Sequence, residues 1–477
     1  MGKRIVKTAL VLIAFWSGHA MAAESKRPNV LFLFTDQQGA NMMSCAGNPY
    51  LKTPAMDYLA ANGVRFTRAY STNPVCSPAR VSLMTGRFPG AFHDGRGQQA
   101  RENDCSMRIL NVSEEVQQTT IAAYLKKARY QLVYGGKEHL PRPLVPSRLG
   151  FKDITNSARD ELAETAADYI RQKHDRPYFM WLNFINPHDI CYYAIRGMTF
   201  DENGRRLAAR LANRKLPKGV SDEVFLDKYC PPLPPNFEPQ QDEPEAISRL
   251  LQIRSFRAKA RRNYNEADWR LHRWAYCRLT ERVDRQIGTI LDALRESGQE
   301  NNTLVILSSD HGDMDSAHRM EHKTALYEEA ANVPFVAMWK GHIPSGKVDS
   351  THLVSHGLDL LPTVCDYAGV KGVADPRGRS LRPLLEGNDV PWRETLGVES
   401  QIGRMVVDNE GYKYIVYDFM PGKLEEQLLD LNKRPLESRQ YAGDPAYNKK
   451  LESLRKAYRE TWFPKQPTPS APQASNR

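Results

Sequence analysis

The stretch Val30-Leu31-Phe32-Leu33-Phe34-Thr35-Asp36-Gln37-Gln38 is an unbroken apolar run that ends on a carboxylate and two amides. Led in by Arg27-Pro28-Asn29, it reads as a central parallel strand buried on both faces. Open α/β sheets gather their ligands beyond the C-terminal ends of such strands, and Asp36 and Gln37 fall there. Acidic and amide oxygens side by side suit a hard cation such as Ca²⁺. Taken alone, such residues more commonly form a helix N-cap after a strand.

The same pattern recurs three times. A helical pattern over Thr120 to Arg129 precedes a short strand, Gln131 to Tyr134, that reaches Gly135-Gly136-Lys137-Glu138-His139-Leu140. Pro177 to Ile185 is a second buried strand, running into Asn186-Pro187-His188-Asp189. Leu304-Val305-Ile306-Leu307 then stops on Ser308-Ser309-Asp310-His311-Gly312-Asp313. Four apolar strands interleaved with helices imply a doubly wound, largely parallel α/β sheet with one site along its C-terminal edge. Thr53-Pro54 to Gly63 carries the start and stop signals of a helix. Tyr276, Leu279, Val283, Ile287, Ile290 and Leu294 mark the core face of a long amphipathic one.

Between the first two strands lies Cys76-Ser77-Pro78-Ala79-Arg80-Val81-Ser82-Leu83-Met84-Thr85-Gly86-Arg87. Pro78 suits a first helical turn and Gly86 a helix end. Cys76 then stands at a helix N-terminus, where free N–H groups favour an anion. A buried structural cysteine, or a thiolate nucleophile, fits these residues equally well.

Cys-Ser-Pro-Ala-Arg resembles the Cys-x-Pro-x-Arg signature of type I sulfatases, in the alkaline-phosphatase-like superfamily, whose cysteine is oxidised to formylglycine. The usual fourth residue is Ser; here it is Ala79. The resemblance runs from about Arg27 to about Leu436, and it implies roles by position. Asp36, Gln37, Asp310 and His311 match metal ligands for one Ca²⁺, together with the converted Cys76. Gln37 stands where the family more often has Asp, and His311 has a second possible role as a sulfate contact. Arg80, Lys137, His139 and Lys323 match groups that hold formylglycine and sulfuryl oxygens. His188 or Lys323 is the implied acid for the leaving oxygen. One hydroxyl of hydrated formylglycine would attack sulfur, and the other would collapse the sulfated intermediate to aldehyde and sulfate. The alternatives are a phosphonate or phosphodiester hydrolase of the same fold, an arylsulfatase for small esters, and a glycan-binding protein with a decayed site.

The remaining sequence sets the surroundings. Lys3, Arg4 and Lys7, the apolar run Ala9 to Trp16 and Ala20-Met21-Ala22 read as a signal peptide over 1–22. No apolar stretch is long enough to span a bilayer, so the expectation is a periplasmic or secreted protein without a membrane span. Its seven cysteines include no CxxC pair, which argues against structural zinc. The net charge of +10 suits a polyanionic partner such as a sulfated glycan, and no nucleic-acid module is present. A formylglycine-generating maturase is the other implied partner. The catalytic domain is expected over 23–392, and a small antiparallel sheet with a terminal helix over 393–463. A Pro/Ser/Gln-rich disordered tail is expected over 464–477. Residues 191–262 carry basic side chains, Arg254, Arg257, Lys259, Arg261 and Arg262, that suit a polyanion or a solvated face. His318 and Arg319, after the metal segment, and Gln401 and Arg404, at a strand junction, are the candidates for reading the sugar.

Overall fold

The structure is a computed structural model that describes residues 27–102, 110–195, 219–370 and 375–464, with Glu202 and Arg206. The expected signal peptide, Cys105 and the tail from 465 onward lie outside the described residues. In chain order the first strands are β1 (Asn29–Asp36), β2 (Val64–Phe66), β3 (Ala69–Tyr70), β4 (Gln131–Gly136) and β5 (Lys152–Thr155). Then come β6 (Tyr178–Pro187), β7 (Thr303–Ser309), β8 (Phe335–Met338), β9 (Lys347–Asp349) and β10 (Val354–Ser355). The main sheet has the order β5-β4-β6-β1-β7-β8-β2-β9, and β3 pairs separately with β10. Its neighbours are parallel except at β8, which runs antiparallel to β7 and β2. This is the doubly wound, largely parallel α/β sheet read from the sequence.

Strand β1 is buried over its whole length, and its alternation supplies both cores. Val30, Phe32 and Phe34 pack with Trp181 and Ile306, and with Val81 and Leu83 of the Cys76–Thr85 helix. Leu31 and Leu33 pack on the opposite face with Met180, Leu182, Val283, Ile287 and Ile290. The last three belong to the helix Glu266–Glu296, whose start is fixed by a capping box between Asn265 and Asp268. The described helices that begin within 191–262 include Cys191–Ala194, Asp222–Tyr229, Glu245–Ile253 and Ser255–Asn263.

A separate antiparallel sheet follows in the order β11 (Thr395–Ser400), β12 (Gly403–Asp408), β13 (Tyr412–Met420), β14 (Lys423–Asp430). The helix Asn448–Trp462 covers one face through Leu451, Leu454 and Tyr458. The other face packs Met405, Val407 and Ile415 against Met314, Met320, Leu326 and Tyr327, on the segment after β7. Buried Lys413 of β13 reinforces that contact, pairing with Glu328 at 2.7 Å and Glu437 at 2.6 Å. The small sheet therefore braces the stretch that carries Lys323.

His356 opens a helix behind the strand ends, with Nδ1 2.9 Å from the Ser309 carbonyl and Nε2 3.3 Å from Ser71 Oγ. Burial pushes its imidazole down to about 3, whereas an unfolded histidine titrates near ~6.5. The unfolded chain therefore binds an extra proton below that pH. This contribution to stability is complete above about pH 6.5 and is lost as the pH falls, by about 2 kcal/mol at about pH 5. The thermal unfolding midpoint is expected to drop between neutral and mildly acidic pH. His356→Gln should start from a lower midpoint and show a shallower pH slope; an unaltered slope contradicts the assignment.

Candidate active site

The helix Cys76–Thr85 is buried along its full length, starts after Val75 without a side-chain cap, and stops at Gly86 with φ 64°. The positive end of the helix thus faces the rim, where it favours an anion. Cys76 Sγ lies 3.0 Å from Lys323 Nζ, 3.1 Å from His311 Nε2 and 3.7 Å from Asp36 Oδ1. Arg80, one turn on, points the same way. Its Nη2 donates to Asp36 Oδ2 at 2.8 Å and Asp310 Oδ2 at 3.2 Å, and its Nη1 to Asn183 Oδ1 at 2.8 Å. The guanidinium also lies 5.1 Å from the centre of the Phe34 ring.

Lys137 reaches this group because the chain turns sharply after β4. Gly136 has φ +88°, and a Cβ there would collide with the Asn183 carbonyl, so only glycine fits. Lys137 N then bonds that carbonyl at 2.9 Å, and Lys137 Nζ bonds Asp36 Oδ2 at 2.6 Å. Three cations, Arg80, Lys137 and Lys323, surround two carboxylates, an arrangement ready to take an anionic ester.

Asp36, Cys76, Asp310 and His311 bring their ligand atoms within 4.8 Å of one another, all buried. Burial and the Cys76 sulfur push the Asp36 carboxyl up, but Lys137, His188 and Arg80 outweigh them and hold it far below the usual range. Asp310 is instead pushed up to about 6 by burial and by the negative charge of Asp36. A divalent cation between the two would remove that conflict. His311 Nδ1 lies 2.8 Å from the Gly312 carbonyl, which leaves Nε2 facing Cys76. Two carboxylates and a fixed imidazole around residue 76 fit one divalent ion.

The other expected residues are placed as follows. Gln37 has φ 66°; its Nε2 donates to Asp313 Oδ2 at 2.6 Å, and its Oε1 faces Lys323 Nζ at 2.9 Å and Cys191 Sγ at 3.3 Å. His188 follows β6, and burial together with Lys137 and Lys323 pushes its imidazole down to about 4. His139 stands half-buried in the turn after Lys137. His318 is buried against the Tyr327 ring, 4.5 Å between centres. Arg319 pairs with Glu238 at 2.7 Å. Gln401 lies in the turn between β11 and β12, and Arg404 pairs with Asp418 at 3.0 Å and stacks over Trp462. Cys76, Arg80, Lys137, Lys323, Asp36, Gln37, Asp310 and His311 are brought together; Arg319 and Arg404 are each held by a carboxylate in their own neighbourhood.

Three residues of the site are not legible in the sequence. Asn183, in mid-strand, reads as core, although an amide in an apolar run is itself a signal. Asp313 closes the Ser-Ser-Asp-His-Gly-Asp run, and nothing in its spacing marks a role. His272 lies far away in sequence, within a helix, and meets Asp313 at 3.3 Å.

The Sulfatase family pattern matches residues 28–370, so the chain belongs to the sulfatase family and is a sulfuric ester hydrolase. A second pattern, N-sulphoglucosamine sulphohydrolase, C-terminal, matches residues 316–462. The chain is similar to a Delta 4,5-hexuronate-2-O-sulfatase of Bacteroides thetaiotaomicron, 28% identical over 91% of this chain and 89% of the relative. It is also similar to an arylsulfatase of Clostridium perfringens, 26% identical over 90% of this chain and 93% of the relative. Among solved structures, a 2-O GAG sulfatase superposes with a TM-score of 0.75 at 26% identity, covering 91% of this chain and 92% of that one.

Asp310→Ala is expected to lose binding of one divalent ion and more than about 10³-fold of turnover, with the fold retained. Metal analysis after dialysis, read beside circular dichroism, checks this; a full complement of ion in the variant contradicts the site.

Proposed function

We propose that the protein is an exported sulfatase that acts on sulfated glycans or their fragments. In this reading a maturase converts Cys76 to formylglycine, and Asp36, Asp310 and His311 hold one Ca²⁺ beside it, while the Gln37 amide, expected as a fourth protein ligand, is instead turned to Asp313 and Lys323. The observation that carries the reading is Cys76 at a buried helix N-terminus, within 3.1 Å of both Lys323 and His311. When present, the hydrated aldehyde supplies the nucleophile and the ion polarises the sulfuryl group.

The chain's own residues do the rest. Arg80 and Lys137 bring positive charge to the rim from the side of Asp36, and Lys323 brings it from the side of Gln37. Sulfuryl oxygens bound among them gain charge as the ester bond breaks, and the low-dielectric surroundings strengthen each contact. Lys323 carries its proton beside residue 76 and is the acid for the leaving oxygen. His188, driven toward the neutral ring by burial and by its cationic neighbours, accepts from or orients the nucleophile instead, and His139 is the remaining proposed sulfate contact.

The glycan assignment is supported by the names of the relatives and by the basic balance of the chain. Arg319, Gln401 and Arg404 are the proposed sugar readers, whereas His318 has no exposed surface with which to meet a sugar. Arg319 and Arg404 must exchange their present carboxylates for a substrate anion, which limits what either contributes. Among the described residues no helix is long and apolar enough to cross a membrane.

Protein co-produced with a maturase is expected to carry residue 76 as an aldehyde by peptide mass spectrometry. It should release sulfate from 2-O-sulfated unsaturated disaccharides well over about tenfold faster than it cleaves a matched phosphonate ester. Full activity from a preparation carrying only the thiol, or a preference for the phosphonate, contradicts the proposal.

A further inference from the structure

The segment from Asp313 to Thr324, which delivers Lys323, is held in an unfavourable backbone conformation. Asp315, Ser316, His318, Arg319, His322 and Thr324 all have φ between 44° and 89°. None is glycine, and such conformations persist only where surrounding contacts over-determine them. One side chain supplies several of those contacts. Asp313 Oδ1 accepts from Asp315 N at 2.8 Å and faces His272 Nε2 at 3.3 Å. Asp313 Oδ2 accepts from Gln37 Nε2 at 2.6 Å and from His322 N at 3.1 Å. Both oxygens thus have two partners, which fills the carboxylate's capacity. Met314 N closes the same loop on the His322 carbonyl at 2.7 Å.

The partners lie on both sides of Lys323. His322 N is the backbone donor immediately before it, and Gln37 presents Oε1 to Lys323 Nζ at 2.9 Å. A primary amide has one donor end and one acceptor end. By binding Nε2, Asp313 fixes which end of Gln37 faces the lysine. Without the carboxylate, the amide could turn its NH₂ toward the ammonium, and the His322 turn would lose its anchor.

The geometry points to Asp313 as the positioning residue that aims Lys323 at residue 76 and the leaving oxygen, acting through the Gln37 amide and the His322 N–H. It touches neither substrate nor the reacting atoms. The inference rests on the reading of Lys323 as the acid for the leaving oxygen.

The test compares the matured parent enzyme with Asp313→Asn, Lys323→Ala and the double variant. Each is assayed on an aryl sulfate with a good leaving group, nitrophenyl sulfate, and one with a poor leaving group, phenyl sulfate. Lys323→Ala should lose far more kcat/KM on phenyl sulfate than on nitrophenyl sulfate, because only the poor leaving group needs the proton. Asp313→Asn should show the same selectivity, about tenfold or more on phenyl sulfate and less than about threefold on nitrophenyl sulfate. Added to Lys323→Ala, it should cost less than about twofold further. Thermal midpoints are read alongside, since a smaller folded fraction lowers both rates alike and creates no selectivity.

Equal losses on both esters, or losses that multiply in the double variant, overturn the role of Asp313 while leaving Lys323 intact. No selectivity in Lys323→Ala overturns the acid reading and takes the Asp313 inference with it. Should Asp313→Asn not fold, His272→Gln decides, since it disturbs only one of the four partners. It should show the same selectivity on a smaller scale, and its absence there also overturns the inference.

Discussion

A single guanidinium, sealed from water, bridges the carboxylates at the ends of two adjacent strands, and the site depends on that contact. Arg80 is 1% exposed, and Asp36 and Asp310 are fully buried. Removing the guanidinium would strip two buried carboxylates of the partner they share, and loss of a buried partner costs several kcal/mol where it has been measured. Because Arg80 follows Cys76 by one helical turn, the ion pair also fixes the sulfur in place. The helix, β1 and β7 are thereby drawn to one point, and Asn183 adds β6. Such a cluster is justified by function rather than by stability, since well-packed apolar residues would serve the fold as well.

The parts of this arrangement that the sequence exposed share one property: each is written locally. An apolar run that breaks off on Asp36 or on Asp310-His311 announces both the strand and the rim position of its last residues. Lys137 is legible only through the resemblance. In the structure its position follows from the double glycine before it, because Gly136 alone can approach the Asn183 carbonyl. What stayed hidden depends on which distant elements meet. His272 belongs to a helix whose apolar stripe reads as core, and its meeting with Asp313 depends on how that helix lies across the sheet. Gln37 likewise shows its amide type in the sequence but not its direction. Arg319 and Arg404 look available in sequence because carboxylate partners at 238 and 418 cannot be paired with them by spacing.

The small C-terminal sheet belongs to the same account. Its inner face packs on the chain between Met314 and Ala331, and its buried Lys413 grips Glu328, five residues beyond Lys323. Lys323 thus sits on a strained segment clamped at one end by Asp313 and at the other by the second sheet. Charge at the rim and rigidity behind it are therefore supplied by different parts of the chain.

The central claim is that residue 76, held by this cluster, is the reacting group. The most direct measurement is sulfate release by Cys76→Ala, made beside the parent under maturing conditions and shown to keep its fold and its bound ion. The account predicts a loss of at least about 10³-fold on aryl and saccharide esters alike. Turnover within about tenfold of the parent on either ester would show that the nucleophile lies elsewhere.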